Sequence, residues 1–159
     1  MKLLNKKKPE LQTKKNQKKG KIMNSIYCAD ICKSQSRLFI YASKQGFDME
    51  EFACNFMNSE LANLEMDSAY YAYSVSDGRE LMSFLIEEGL HFHPTKKQVG
   101  LLSDSEIAGW VGHMYRLLAI RKGVHSRQVY NALPYNKMVQ LWVGGHTMDD
   151  ESFVDTICL

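Results

Sequence analysis

Four bulky apolar residues, Ile107, Val111, Met114 and Leu118, fall at spacings of four, three and four. That places them on one face of an α-helix and commits the face to a core. Strand-like alternation is almost absent from the rest of the chain, so the elements that cover this face are expected to be helices. Ser103 and Glu106 form a capping-box start for the segment. Ala108, Gly112 and Ala119 lie beside Tyr115 on an adjoining face, where small side chains let a second helix approach closely.

The same reading extends in both directions. From Ser25 to about Gln45, the residues Ile26, Ala29, Ile31, Leu38, Phe39 and Ala42 recur at helical intervals, and Gly46 is a natural stop. Asp48 with Glu51 opens a second helix bearing Phe52, Phe56 and Met57, which runs to about Ser59. Between Leu61 and Tyr73 a helical face competes with a break at Asp67-Ser68, and the detail stays open. Asp77 with Glu80 starts a helix carrying Leu81, Phe84 and Leu85, ending near Glu88 with Gly89 as its stop. His91 to Leu102, with Pro94 and Gly100, reads as a surface connection. Beyond Gly123 a short helix runs from Ser126 to about Leu133. Another takes Pro134 in its first turn, carries Met138, Leu141 and Trp142, and stops at Gly144-Gly145. Thr147 and Asp150 cap a last helix with Phe153, Val154 and Ile157.

The expectation is an all-α bundle of about six or seven helices, with Ile107, Val111, Met114, Leu118, Val129, Leu141, Trp142 and Phe153 in its core. A chain of 159 residues suits one domain, taken as residues 23–159. Residues 1–22 differ in kind, holding nine lysines and one glutamate for a charge of +8, while the remainder carries 11 basic and 17 acidic residues for −6. Such a lysine-rich segment is expected to be disordered and would suit a nucleic-acid backbone. Equally, Lys19-Gly20-Lys21-Ile22-Met23 is compatible with translated ribosome-binding DNA ahead of a true start at Met23.

No apolar run is long enough to span a membrane, and no secretory signal precedes the domain, so a cytoplasmic protein with no membrane partner is expected. Cys28, Cys32, Cys54 and Cys158 form no dense framework and are expected as free thiols. Nucleophile elbows, phosphate loops and dinucleotide fingerprints are absent, and no cofactor is implied. His91-x-His93 lacks a third metal ligand nearby, while Cys28 and Cys32, four apart, read as small core residues, so no metal site is assigned. His113, Tyr115, Arg116 and His146 would make a polar pocket, and a small enzyme, only if the fold brought them together.

The segment around Gly123 resembles a helix-turn-helix, in which Arg127, Gln128 and Asn131 would face the DNA major groove. The acidic charge and the early Pro134 favour an ordinary core corner instead. The acids Asp48, Glu50 and Glu51, Glu87 and Glu88, and Asp149, Asp150 and Glu151 offer a surface for a basic partner protein; solvated helix ends are the other reading.

Taken together, Ala108-Gly109-Trp110-Val111-Gly112-His113-Met114-Tyr115-Arg116, Ser126-Arg127-Gln128-Val129-Tyr130, Gly145-His146-Thr147-Met148-Asp149 and Phe56-Met57-Asn58-Ser59 resemble a group of small helical bacterial proteins of unassigned function. Some of that group occur near toxin–antitoxin or mobile-element genes. The resemblance implies helical architecture and an antitoxin-like or accessory role, with no catalytic residues.

Overall fold

The computed structural model describes residues 28–68, 76–95 and 102–159, and the lysine-rich segment therefore lies outside the described residues. Among them are eight helical elements and no strand. Helix α1 covers residues 28–44. It is followed by α2 (Met49–Asn58), a π-helical segment (Leu61–Met66), α3 (Gly78–Glu87), α4 (Leu102–Lys122), α5 (Ser126–Ala132), α6 (Tyr135–Gly145) and α7 (Asp150–Thr156). The all-α expectation holds. The additional element is the π-helical segment, formed where the sequence pattern was ambiguous.

Local chemistry accounts for the boundaries. Gly46, Gly89 and Gly123 have φ of 76°, 95° and 64°, the left-handed conformation that ends α1, α3 and α4. After Gly46, the Phe47 N–H donates back to the Ala42 carbonyl. Asp48 and Asp77 accept from the backbone N–H groups of Glu51 and Glu80 at 3.0 and 2.8 Å, fixing the starts of α2 and α3 as the sequence predicts. The cap of α7 is different: Asp149 accepts from the Ser152 N–H, while the Thr147 hydroxyl donates to the Gly144 carbonyl and Asp150 lies inside the first turn. Pro134 stands one place before α6 as its N-cap.

Helix α4 is the axis of the bundle. Its residues Met114 through Ala119 are all buried, as expected of a helix covered on every side. Helices α5, α6 and α7 contact it, and α2 contacts α5, α6 and the π-helical segment. On another side α1 lies close enough that a Cβ on Gly112 would come within 2.8 Å of Phe39 Cγ. The small-residue face of α4 thus admits a neighbouring helix. Phe39 sits edge-on to Phe52, Phe56 and Tyr115, joining the two halves in one hydrophobic cluster.

Val111, Met114, Leu118, Val129 and Phe153 are buried in that cluster. Ile107 and Leu141 are only partly buried against it. Trp142 is half-buried and stacks on His146 with ring centroids 4.1 Å apart, correcting its place in the predicted core. Its neighbour Met138 is the α6 residue that goes fully inside.

Candidate functional site

Arg116 is a fully buried cation on the axial helix. Its Nε donates to Gln35 Oε1 of α1 at 2.8 Å, and its Nη1 donates to Asp67 Oδ1 at 2.5 Å. Asp67 follows the π-helical segment, so the ion pair ties α4 to the break seen in the sequence. The same carboxylate accepts the Ser126 N–H at 2.8 Å and the Ser126 hydroxyl at 2.6 Å, and His125 Nδ1 lies 3.3 Å away. Asp67 therefore caps α5 from outside its own helix. Burial pulls the Arg116 guanidinium below its ordinary pKa, and Asp67 offsets that pull. Asn63 completes the joint, donating to the Met57 and Ser59 carbonyls and accepting from the Arg127 N–H and Nε.

This arrangement separates the four residues of the conceivable polar pocket. Arg116 points to Asp67, while the buried Tyr115 hydroxyl donates to the Leu133 carbonyl at 2.7 Å. His113 Nε2 lies 2.9 Å from Asp150, and His146 stacks on Trp142. The fold does not bring them to one cleft.

Most of the acidic residues are likewise occupied within the chain. Glu50 accepts from the Tyr130 hydroxyl at 2.6 Å and the Asn136 N–H at 2.7 Å, clamping α2 to the start of α6. Glu88 accepts from the Glu60 and Leu61 N–H groups and caps the π-helical segment. Asp149 caps α7, Asp150 meets His113, and Glu151 pairs with Arg121. Glu87 is exposed on α3. At the Gly123 corner, α5 is only two turns long, and two of its three candidate reading residues are engaged. Arg127 is held by Asn63, and the Gln128 side chain accepts the His125 N–H at 2.9 Å. Asn131 is exposed.

Asp48 and Glu51 have a different setting. Residues 90–95 fold back over the α1–α2 corner, where the Thr95 N–H donates to the Gly46 carbonyl at 3.0 Å. Phe92 then stacks on Phe47, with centroids 5.7 Å apart, and meets Phe52 at 5.2 Å. The result is a cleft of about 250 Å³ lined by Phe47, Phe52 and Phe92, with Asp48, Glu51, His91, His93 and Thr95 at its rim. Phe52 is buried, so the half-buried Phe47 and Phe92 supply the aromatic surface, while the rim residues are exposed. The volume is below the roughly 300–1,000 Å³ of ordinary ligand pockets. It is the size for one long side chain.

Aromatic rings beside two carboxylates attract a cation, by ring quadrupole and by charge. Among the described residues no group of three or more His, Cys, Asp or Glu is arranged to hold a metal ion, and His91 and His93 both line the cleft. Sequence reading named Asp48, Glu51 and the two histidines separately but missed that Phe92 joins them. The available signal was Phe92 itself, a large apolar residue within a segment otherwise read as exposed. No protein-family model, curated protein or solved structure matches the chain.

Proposed function

We propose that the chain is a non-enzymatic binding module that takes a Lys or Arg side chain of a basic partner protein into the Phe47–Phe92 cleft. The observation carrying this reading is the pairing of accessible aromatic surface with the exposed Asp48 and Glu51 carboxylates, in a space that suits one side chain. An exposed cation–π contact is worth about 0.5–1 kcal/mol, rising to about 2 kcal/mol when desolvated. The charge of −6 on residues 23–159 favours encounter with a basic protein. The setting proposed for this activity is an intracellular, antitoxin-like or accessory role in a bacterial toxin–antitoxin or defence system. No helix among the described residues is long and apolar enough to cross a membrane. The Gly123 corner would serve duplex DNA only if Arg127 and Gln128 gave up their internal bonds.

Calorimetric titration with a short Lys-rich peptide tests the reading. Asp48→Asn with Glu51→Gln keeps a competent N-cap while removing both charges. It is expected to weaken binding by about tenfold, a loss of about 1.4 kcal/mol. Unchanged affinity in that variant, or tighter binding to random duplex DNA with steep salt dependence, would overturn the proposal.

A further inference from the structure

The three phenylalanines of the cleft are packed against one another. Their ring centroids are 6.2 Å apart for Phe47 and Phe52, 5.7 Å for Phe47 and Phe92, and 5.2 Å for Phe52 and Phe92. An ammonium group held between two ring faces, at ordinary contact of about 3.5–4.0 Å on each side, would spread them to about 7–8 Å. Every pair here is closer than that, so the rings form a wall and not a cage. Phe52 is buried behind it, and the half-buried Phe47 and Phe92, with planes 29° apart, form its accessible part. A wall of this kind takes a flat group laid against it.

The carboxylates at the rim are a second, independent observation. Asp48 Oδ1 accepts the Glu51 N–H at 3.0 Å. Among the described residues, Asp48 Oδ2 and both carboxylate oxygens of Glu51 accept no hydrogen bond, and neither residue is in an ion pair. Three acceptor oxygens are thus left at the edge of an aromatic wall.

Given the cleft as a cation site, we infer that it selects arginine over lysine, and that its occupant is an arginine side chain of the basic partner. A guanidinium is planar, weakly hydrated and stacks on aromatic faces, while its five N–H donors point outward in its own plane. It can therefore lie on the rings and pair with a carboxylate at the same time, often through two parallel hydrogen bonds. An ammonium is compact and strongly hydrated, and has no flat face to lay on the wall. The cleft, at about 250 Å³, is smaller than the roughly 300–1,000 Å³ pockets that enclose a free small molecule. A side chain anchored by its own backbone needs no such enclosure, and the charge of −6 on residues 23–159 attracts further basic residues of the same partner.

Calorimetry on the full chain tests this with peptides of one sequence carrying, at a central position, arginine, lysine, trimethyl-lysine or asymmetric dimethyl-arginine. N-acetylarginine amide serves as the free guanidinium. The arginine peptide should bind about tenfold more tightly than its lysine twin, the scale of one added charge-assisted hydrogen bond. Dimethylation keeps the charge but blocks the paired hydrogen bonds, and should remove most of that advantage. Phe92→Leu, checked for folding by circular dichroism, should bring the arginine and lysine peptides to within about threefold, because the π-face is lost while apolar bulk remains. Should that variant unfold, the peptide series on the parent chain decides alone. Lysine within about threefold of arginine on the parent, trimethyl-lysine tighter than arginine, or N-acetylarginine amide as tight as the peptide would each overturn the selection of an arginine side chain and leave the cleft a cation site. An arginine peptide that binds equally well to the Asp48→Asn, Glu51→Gln double variant would remove the cation site itself.

Discussion

The joint at Arg116 and the cleft at Phe92 both set carboxylates beside a large planar group, yet they have opposite bonding states. Asp67 is half-buried and accepts from Arg116 and from Ser126 twice. Asp48 and Glu51 are exposed, and the one internal bond between them is from the Glu51 backbone to Asp48. A carboxylate whose capacity is filled by its own chain holds the fold together. One that faces water across an aromatic floor has capacity left for another molecule. The contrast sorts the acidic residues better than their clustering in sequence does.

Variants can break this comparison. Asp67→Ala leaves a buried guanidinium without its counterion, and about 3–5 kcal/mol of stability should be lost in urea unfolding. Peptide affinity of the remaining folded fraction should stay as it was. Gly112→Ala places a Cβ against the Phe39 ring and should cost about 1–3 kcal/mol unless α1 shifts outward. Alkaline titration probes the same interior. Burial raises the Tyr115 and Tyr135 phenols well above the ordinary tyrosine value in the folded protein, so the unfolded chain releases those protons first, from about pH 10 upward. Stability is therefore full below pH 10 and falls above it by up to about 1.4 kcal/mol per pH unit per phenol. Tyr115→Phe should flatten that slope in a series of urea midpoints. At the low end of the scale, Glu50→Gln weakens one charge-assisted clamp on Tyr130 and should cost about 1 kcal/mol. Asp48→Asn should leave stability within about 0.5 kcal/mol because asparagine also caps helices. If Asp48→Asn proved as damaging as Asp67→Ala, the distinction between the two regions would collapse.

Much of the fold was legible because its causes are local. The four-three-four stripe of Ile107, Val111, Met114 and Leu118 and the Asp-x-x-Glu starts each rest on residues within about three turns of one another. The joints were not legible, because they link distant positions: Arg116 and Asp67 are 49 residues apart, and Glu50 reaches across 86 residues to Asn136. Periodicity has no reach of that kind. One local clue did exist for Arg116. It stands between Tyr115 and Leu117 in a run from Met114 to Ala119 that is otherwise apolar, and a helix apolar on every side is buried. The π-helical segment stayed ambiguous because Asn63 and Ser59 set its geometry through side-chain bonds to nearby carbonyls, which competing helical periodicity conceals. For the cleft, Phe47 and Phe92 are 45 positions apart, and only the return of residues 90–95 over α1 makes them neighbours.

Amide chemical-shift mapping, with a Lys-rich peptide titrated into the isotopically labelled chain, puts the two kinds of carboxylate in direct competition. Saturable shifts should centre on Phe47, Asp48, Glu51 and residues 91–95 while Asp149, Asp150 and Glu151 remain still. Shifts centred on those three C-terminal acids or on α5, or no saturable shift anywhere, would contradict the assignment of the cleft as the binding surface.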